Sequence, residues 1–212
     1  MPKRAYEDSL VTKQNILNSA KRLFSRRGYE RTSLSDVAKY AGVTRGAIYW
    51  HFSSKEDLLL GLLEKLNTDL FSNDIVNEAM SPAEADPLGK LKQFLLVLVQ
   101  EDAIEFFNST FMTMLLTIMN GGSGNDKKKK KIYAQRKRHV SNQTQIIKNA
   151  VNKGQLPKNL VIEAAVEHLE IFLIGYIHSC RVNNVDLIKK NFSYYLDLEF
   201  ELMKKLTKET LV

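Results

Sequence analysis

A chain of 212 residues, 44% hydrophobic and 26% charged, has the size and composition of a globular protein with one large domain or a small and a larger one. Its single cysteine, Cys180, excludes an intramolecular disulfide and a thiolate zinc cluster, and no apolar run approaches the ~20 residues of a membrane span. The formal charge of +7 is uneven: residues 1–66 hold twelve Lys and Arg against seven Asp and Glu, and the remainder nineteen against seventeen. Most of the excess thus lies in under a third of the chain, which agrees with a polyanionic partner for that part. Four prolines and ten glycines favour an all-α chain. Residues 1–10 carry charges of both signs and no apolar stretch, so no signal peptide is expected and a cytoplasmic location is.

In chain order, the first expected helix covers about residues 9–27. Ile16, Ala20, Leu23 and Phe24 recur at helical spacing, and Gly28 suits a C-terminal cap. Thr32 or Ser33 caps the next helix, with Asp36 placed for a capping box from Ser33. Leu34, Val37, Ala38 and Ala41 follow at helical spacing; Gly42 interrupts, and Val43, Ala47 and Ile48 resume the apolar face. Two short helices cross steeply only where the contact is small and the turn tolerates an unusual backbone, needs met by Ala38 and Gly42. Residues 33–52 therefore read as a helix-turn-helix. Its second helix exposes Thr44, Arg45, Gly46, Tyr49 and Trp50, a face suited to the major groove of DNA.

Ser54 with Asp57 opens a linking helix expected from Lys55 towards Met80, with Leu58, Leu59, Leu62, Leu63 and Leu66 on its apolar face. Asp86 and Pro87 read as an N-cap followed by proline at the first helical position. Leu88, Leu91, Phe94, Leu95 and Leu98 then form one face of a helix reaching about residue 102. Residues 104–120 are apolar nearly all round, which predicts a central buried helix. After a Gly-rich loop at 121–125, helices are expected over residues 126–153, 160–181 and 186–208. The total is nine: three in a DNA-contacting head, one linking and five in a body. The head is placed at residues 1–54, and the linking helix with the ligand-binding and dimerisation body at residues 55–212.

The stretch ILNSAKRLFSRRGYERTSLSDVAKYAGVTRGAIYWHFSSKEDLL resembles the TetR family of bacterial transcriptional regulators, closely over about the first 65 residues. Within it, GVTRGAIYWHF is especially similar to the branch that represses multidrug efflux pumps; residues 80–212 resemble the family only in helix pattern. The resemblance implies a nine-helix all-α fold, dimerised through its last two helices. It implies a ligand-responsive repressor of a multidrug efflux or related transporter gene. The partners would be a palindromic operator of double-stranded DNA and a small, largely apolar effector, with no cofactor. A ligand-independent DNA-binding activator or architectural protein is the alternative.

Carried over residue by residue, the resemblance assigns recognition to Thr44, Arg45, Gly46 and Tyr49. Arg45 leads as base reader, because a guanidinium pairs bidentately with guanine O6 and N7. Gly46 lets the helix approach the bases closely, and Tyr49 meets a thymine methyl or a phosphate. Ser33, Thr44, His51 and Lys55 are phosphate candidates; Ser33 and Lys55 lie near helix starts, where free N–H groups favour anions. Lys3 and Arg4 form either a mobile arm along the DNA or a plain disordered terminus.

Blander roles stand beside these. Trp50 reads as mixed packing and surface, and Phe52 as core. His51 is no metal ligand, since the next histidine, His139, is 88 residues away. The lysine run at 127–131 reads as a solvated helix start that the helix dipole disfavours. Phe106, Phe111, Met112 and Met114 are either core or the lining of an adaptable ligand cavity. Asn142, Glu170, Tyr176 and His178 are its polar candidates. Of Glu167 and Glu170, one faces solvent or a dimer partner and one meets a cationic ligand group. Ile171, Ile174, Phe192, Tyr195 and Phe200 divide between dimer contact and core. No Gly-rich phosphate loop, nucleophile elbow or metal motif is present, so no enzyme is expected.

Overall fold

The structure, a computed structural model, describes residues 3–71, 74–99, 126–182 and 185–210. Nine helices lie among them: α1 (Lys3–Arg27), α2 (Leu34–Tyr40), α3 (Arg45–His51), α4 (Lys55–Phe71), α5 (Asp74–Met80), α6 (Pro87–Leu98), α7 (Asp126–Asn152), α8 (Ile162–Val182) and α9 (Val185–Met203). The described residues hold no strand, only an isolated antiparallel bridge between Leu160 and Thr207. The all-α expectation holds. The described parts of the linking segment are helical, α4 up to Phe71 and α5 from Asp74 to Met80. The expected central helix at 104–120, with Phe106, Phe111, Met112 and Met114, lies outside the described residues.

Contacts divide the described chain into two compact units. Residues 3–68 and 126–130 fall in the first; residues 69–71, 74–99, 131–182 and 185–210 fall in the second. In the first unit α1 begins at Lys3, six residues earlier than the apolar stripe indicates, because Lys, Arg, Ala and Glu form helix well without any stripe. Lys3 and Arg4 therefore stand on its first turn rather than in an irregular arm. Ile16, Leu17, Ala20, Leu23 and Phe24 are all buried, and the helix ends at Gly28, whose φ of +79° is the left-handed conformation of a C-terminal cap. Asn15 Nδ2 donates to Ala41 O at 2.8 Å and so ties α1 to the far end of α2. Gly61 of α4 leaves room for the ring of Phe52, since a Cβ there would sit 2.8 Å from Phe52 Cε1. Leu58, Leu59, Leu62 and Leu63 are buried on the same helix, which is why α4 up to Thr68 groups with the first unit.

In the second unit α6 starts as its sequence indicates, with Asp86 as N-cap and Pro87 in its first turn. Asp86 Oδ1 accepts from Gly89 N at 2.8 Å and from Gln155 Nε2 at 2.6 Å, while Gln155 Oε1 accepts from Leu88 N at 3.2 Å. The buried Asn149 of α7 donates to Ala79 O and Ser81 O, at 3.1 and 3.2 Å, and so fixes the C-terminal end of α5. Leu91, Leu95, Ile147, Ala165, Leu169, Phe192, Leu196 and Met203 make the centre of one continuous apolar core. The last helix stops at Met203, five residues short of expectation. Val161 N donates to Leu206 O at 2.8 Å and Lys208 N to Asn159 O at 3.3 Å, so the tail pairs with the segment entering α8.

Candidate nucleic-acid interface

The turn between α2 and α3 is a complete Schellman motif. Gly42 N donates to Lys39 O at 3.3 Å and Val43 N to Ala38 O at 3.0 Å, with Gly42 at φ +67°. At the start of α2, Ser33 is the cap and forms the full capping box with Asp36. Thr32 is otherwise engaged, its buried hydroxyl donating to Gly28 O at 2.9 Å. The bonds from Ser33 hold the Asp36 carboxyl below the ordinary carboxylate range. These local closures leave α2 and α3 crossing at Val37, Ala38 and Ile48, all buried. Fully burying Ile48 contributes about 1.5–3 kcal/mol and anchors a helix of only seven residues.

With its inner face fixed, α3 presents the expected outer face. Thr44, Arg45, Gly46, Tyr49 and Trp50 are all exposed, Trp50 at 64%. Thr44 Oγ1 accepts from Ala47 N at 3.1 Å and so caps the helix as well as lying on its surface. The Arg45 guanidinium stands over the Tyr49 ring at 5.7 Å, a cation–π contact that restrains a long side chain without using its five N–H donors. A Cβ on Gly46 would meet only Thr44 Oγ1, at 3.9 Å. The fold itself has no need of a glycine there.

The remaining candidates separate into two groups. Ser33, Tyr49 and Lys55 share an open cleft of about 490 Å³ with Arg31, Ser53 and Ser54. The Lys55 ammonium is engaged, donating to Tyr29 O at 3.1 Å and Glu30 O at 3.4 Å, 4.2 Å from the centre of the Tyr29 ring. Its first role is therefore to clamp the loop after α1. Burial, with Glu56 and Glu30 nearby, raises the Tyr29 phenol above its ordinary range. His51 packs edge-on against Trp50 at 4.6 Å, half-buried. Burial, then the charge of Lys13, lowers its pKa. Phe52 is core, 3% exposed, as read from the sequence. Lys3 and Arg4 lie on α1, with side chains outside the described set.

Among the body candidates, Asn142 is half-buried, Tyr176 is core and the side chain of His178 lies outside the described set. The Tyr176 ring packs 4.2 Å from Phe192 and 6.2 Å from Phe172, within an aromatic cluster. Glu167 is exposed, whereas the Glu170 side chain is 13% exposed, with Arg136 Nη2 and His139 Nε2 each 3.5 Å from its carboxylate. His139 in turn lies 2.8 Å from Nε2 of Gln143. Neither His139 nor Gln143 stood out in the sequence, because on a helix rich in Lys, Arg and Asn two further polar residues carry no signal. Phe192 and Phe200 are intrachain core; Ile171, Ile174 and Tyr195 are exposed, with Tyr194, Leu198 and Leu202 beside them. Among the described residues no helix is long and apolar enough to cross a membrane.

Residues 16–62 match the family model described as bacterial regulatory proteins, tetR family. The chain is 33% identical over 181 residues to the probable HTH-type transcriptional regulator ArpR of Pseudomonas putida, covering 84% of this chain and 83% of that protein. It is 32% identical over 194 residues to the HTH-type transcriptional regulator TtgR, also of Pseudomonas putida, covering 89% and 90%. Its fold is similar to that of SmeT in a triclosan complex, with a TM-score of 0.69, 20% identity and 91% of each chain covered. Similarity along most of both curated relatives, together with the capped helix-turn-helix, leads to one conclusion: the chain belongs to the TetR family of DNA-binding transcriptional regulators.

Proposed function

We propose that the chain is a homodimeric, ligand-responsive repressor acting in the cytoplasm on a palindromic operator. The observation that carries the reading is α3, held from behind by buried Ile48 and capped by Thr44, with Arg45 poised over Tyr49 on its exposed face. Arg45 is the base reader, Gly46 admits the backbone to the base edges, and Tyr49 meets a thymine methyl or a phosphate. Ser33, Thr44 and His51 lie along the phosphates, Lys55 adds charge from its clamped position, and Lys3 and Arg4 extend the basic surface from α1. The exposed apolar residues of α8 and α9, Ile171, Ile174, Tyr195 and Leu198 among them, support a dimer through those helices. Two heads of residues 1–54 then meet half-sites about one helical turn or a little more apart.

An effector bound in the body, residues 55–212, acts through its different affinity for two conformations, with α4 as the lever that moves the heads out of register. A multidrug efflux or related transporter gene is the proposed target. SmeT supports it by fold, being described as the repressor of the Stenotrophomonas maltophilia multidrug efflux pump SmeDEF. The test is footprinting on the promoter flanking the protein's own gene, with and without candidate efflux substrates. A protected palindrome that disappears with a compound is the expected result, and Arg45→Ala abolishes the protection while leaving a folded dimer. If Arg45→Ala protects the same site with unchanged affinity, Arg45 is not the reader. Protection that no compound relieves means a ligand-independent regulator instead.

A further inference from the structure

The near-neutral balance after residue 66 hides a second concentration of positive charge. Of that stretch, α7 carries nine Lys and Arg against one acid, Asp126, and everything else ten against sixteen. The charge has a side. Ile146, Ile147 and Ala150 bury one face of α7. At 3.6 residues per turn Lys130, Lys137 and Arg138, at spacings of seven and eight, fall on the opposite face with Lys131 at its margin. All four are exposed, and Ser141 and Gln145, also exposed, continue that face with no acid on it. Among the described residues no ion pair or side-chain hydrogen bond engages Lys130, Lys137 or Arg138. The helix gains nothing from this arrangement. Its lysines at 127–131 include like charges three and four residues apart, and cations in the first turn oppose the helix dipole.

Resting on the DNA-binding reading above, we infer that the exposed row Lys130, Lys137 and Arg138 is a second contact to duplex DNA, made to the phosphate backbone outside the bases that α3 reads. Residues 126–130, which open α7, belong to the compact unit that holds the helix-turn-helix, so the row begins in the unit that meets DNA. Its charges match the partner, since a duplex carries one negative charge per about 1.7 Å of its axis. Eight residues of helix span about 12 Å, the width of the major groove, so the two ends of the row reach phosphates on either side of it. The face is also poor in apolar surface, Tyr133 being its one large exposed apolar residue among those described. A membrane surface or a protein partner rewards apolar burial beside charge, and DNA does not require it. Phosphates are alike in every sequence, so α7 adds affinity and α3 alone adds choice. The lysine run thereby has a use that its place at a helix start does not explain.

The probe is a fluorescein-labelled duplex of random sequence, about 40 base pairs long, titrated by anisotropy with the full-length protein between about 50 and 200 mM NaCl. A fragment of the promoter flanking the protein's own gene is the second probe. In the triple variant Lys130→Gln, Lys137→Gln, Arg138→Gln, log K falls less steeply with log salt, by about 2.7 per bound protomer at about 0.9 for each phosphate contact. The ratio of affinities for promoter and random duplex stays within about twofold of the parent's, whereas Arg45→Ala lowers it. The thermal midpoint is unchanged or raised, because exposed like charges have been removed, so weaker binding is not unfolding. The comparator Lys153→Gln, Lys158→Gln, Lys208→Gln removes the same charge from exposed positions off α7, and its slope moves by less than about 1. A change below about 1 in the α7 variant overturns the inference, as does an equal change in the comparator, which makes the effect one of net charge. Loss of binding to phosphatidylserine vesicles with the DNA slope intact overturns it in favour of a membrane partner. If the parent binds duplex and the slope does not move, only this inference fails; if the parent binds neither duplex, the DNA-binding reading fails with it.

Discussion

Two glycines four residues apart in the helix-turn-helix respond oppositely to the same substitution. Gly42 has φ +67°, and a Cβ there meets nothing within 4 Å, so Gly42→Ala carries a backbone cost and no clash. Forcing an L-residue into that left-handed conformation costs roughly 1–2 kcal/mol. The stiffer unfolded chain returns about 0.4–1 kcal/mol, leaving a net loss near 1 kcal/mol. Gly46 is helical, and its added methyl touches only Thr44 Oγ1 at 3.9 Å, so Gly46→Ala gains about 0.5 kcal/mol from helix propensity. The two variants therefore separate by roughly 1.5 kcal/mol, a little over tenfold in the folding equilibrium. Urea unfolding followed by the fluorescence of Trp50, the one tryptophan of the chain, reads this directly in the helix-turn-helix. Operator affinity gives the second axis: Gly46→Ala binds weakly although it is more stable, because the methyl stands between α3 and the base edges. A Gly42→Ala variant as stable as the parent refutes the conformational argument. A Gly46→Ala variant with undiminished affinity refutes the close approach.

Asn149→Ala removes two hydrogen bonds to the carbonyls of Ala79 and Ser81 from a site 3% exposed, and costs about 1–3 kcal/mol. Chemical denaturation measures the loss, and amide exchange rises first at the end of α5. For pH, His139 and His51 both have folded pKa values below the unfolded value near 6.5, burial being the first cause in each case. The folded state resists their protonation, so stability is full above that value and falls as pH drops below it. For His139, burial and Arg136 together outweigh the opposing pull of Glu170. The thermal midpoint should fall between pH 7.5 and about 5.5, and less so in His139→Gln; a midpoint that rises on acidification contradicts the sign.

What could be read from the chain without its fold was local. Gly28, the Ser33–Asp36 box, Gly42, Ser54 with Asp57, and Asp86 with Pro87 each close a helix end through atoms within five residues, so spacing alone reveals them. The exposed face of α3 followed for the same reason, since Ile48 and Ala38 at helical period fix which side turns inward. The sequence alone therefore determined the all-α class, the helix-turn-helix and the exposed face of its second helix.

Tertiary structure decided everything that depends on distant partners. Lys55 looked like a free phosphate contact until its ammonium met carbonyls 25 and 26 residues away. The last helix stopped at Met203 because Leu206 and Lys208 pair with residues 161 and 159, far earlier in the chain, leaving no mark in local periodicity. Phe192 and Phe200 joined the core while Ile171, Ile174 and Tyr195 stayed outside, although all five sit on helices with similar apolar stripes. An amphipathic pattern states that a face is buried; it does not state whether the covering surface is the same chain or another. Glu170 and Gln143 make the same point between α7 and α8. A single polar residue in a helix is indistinguishable from a solvated one until the fold brings up its neighbours.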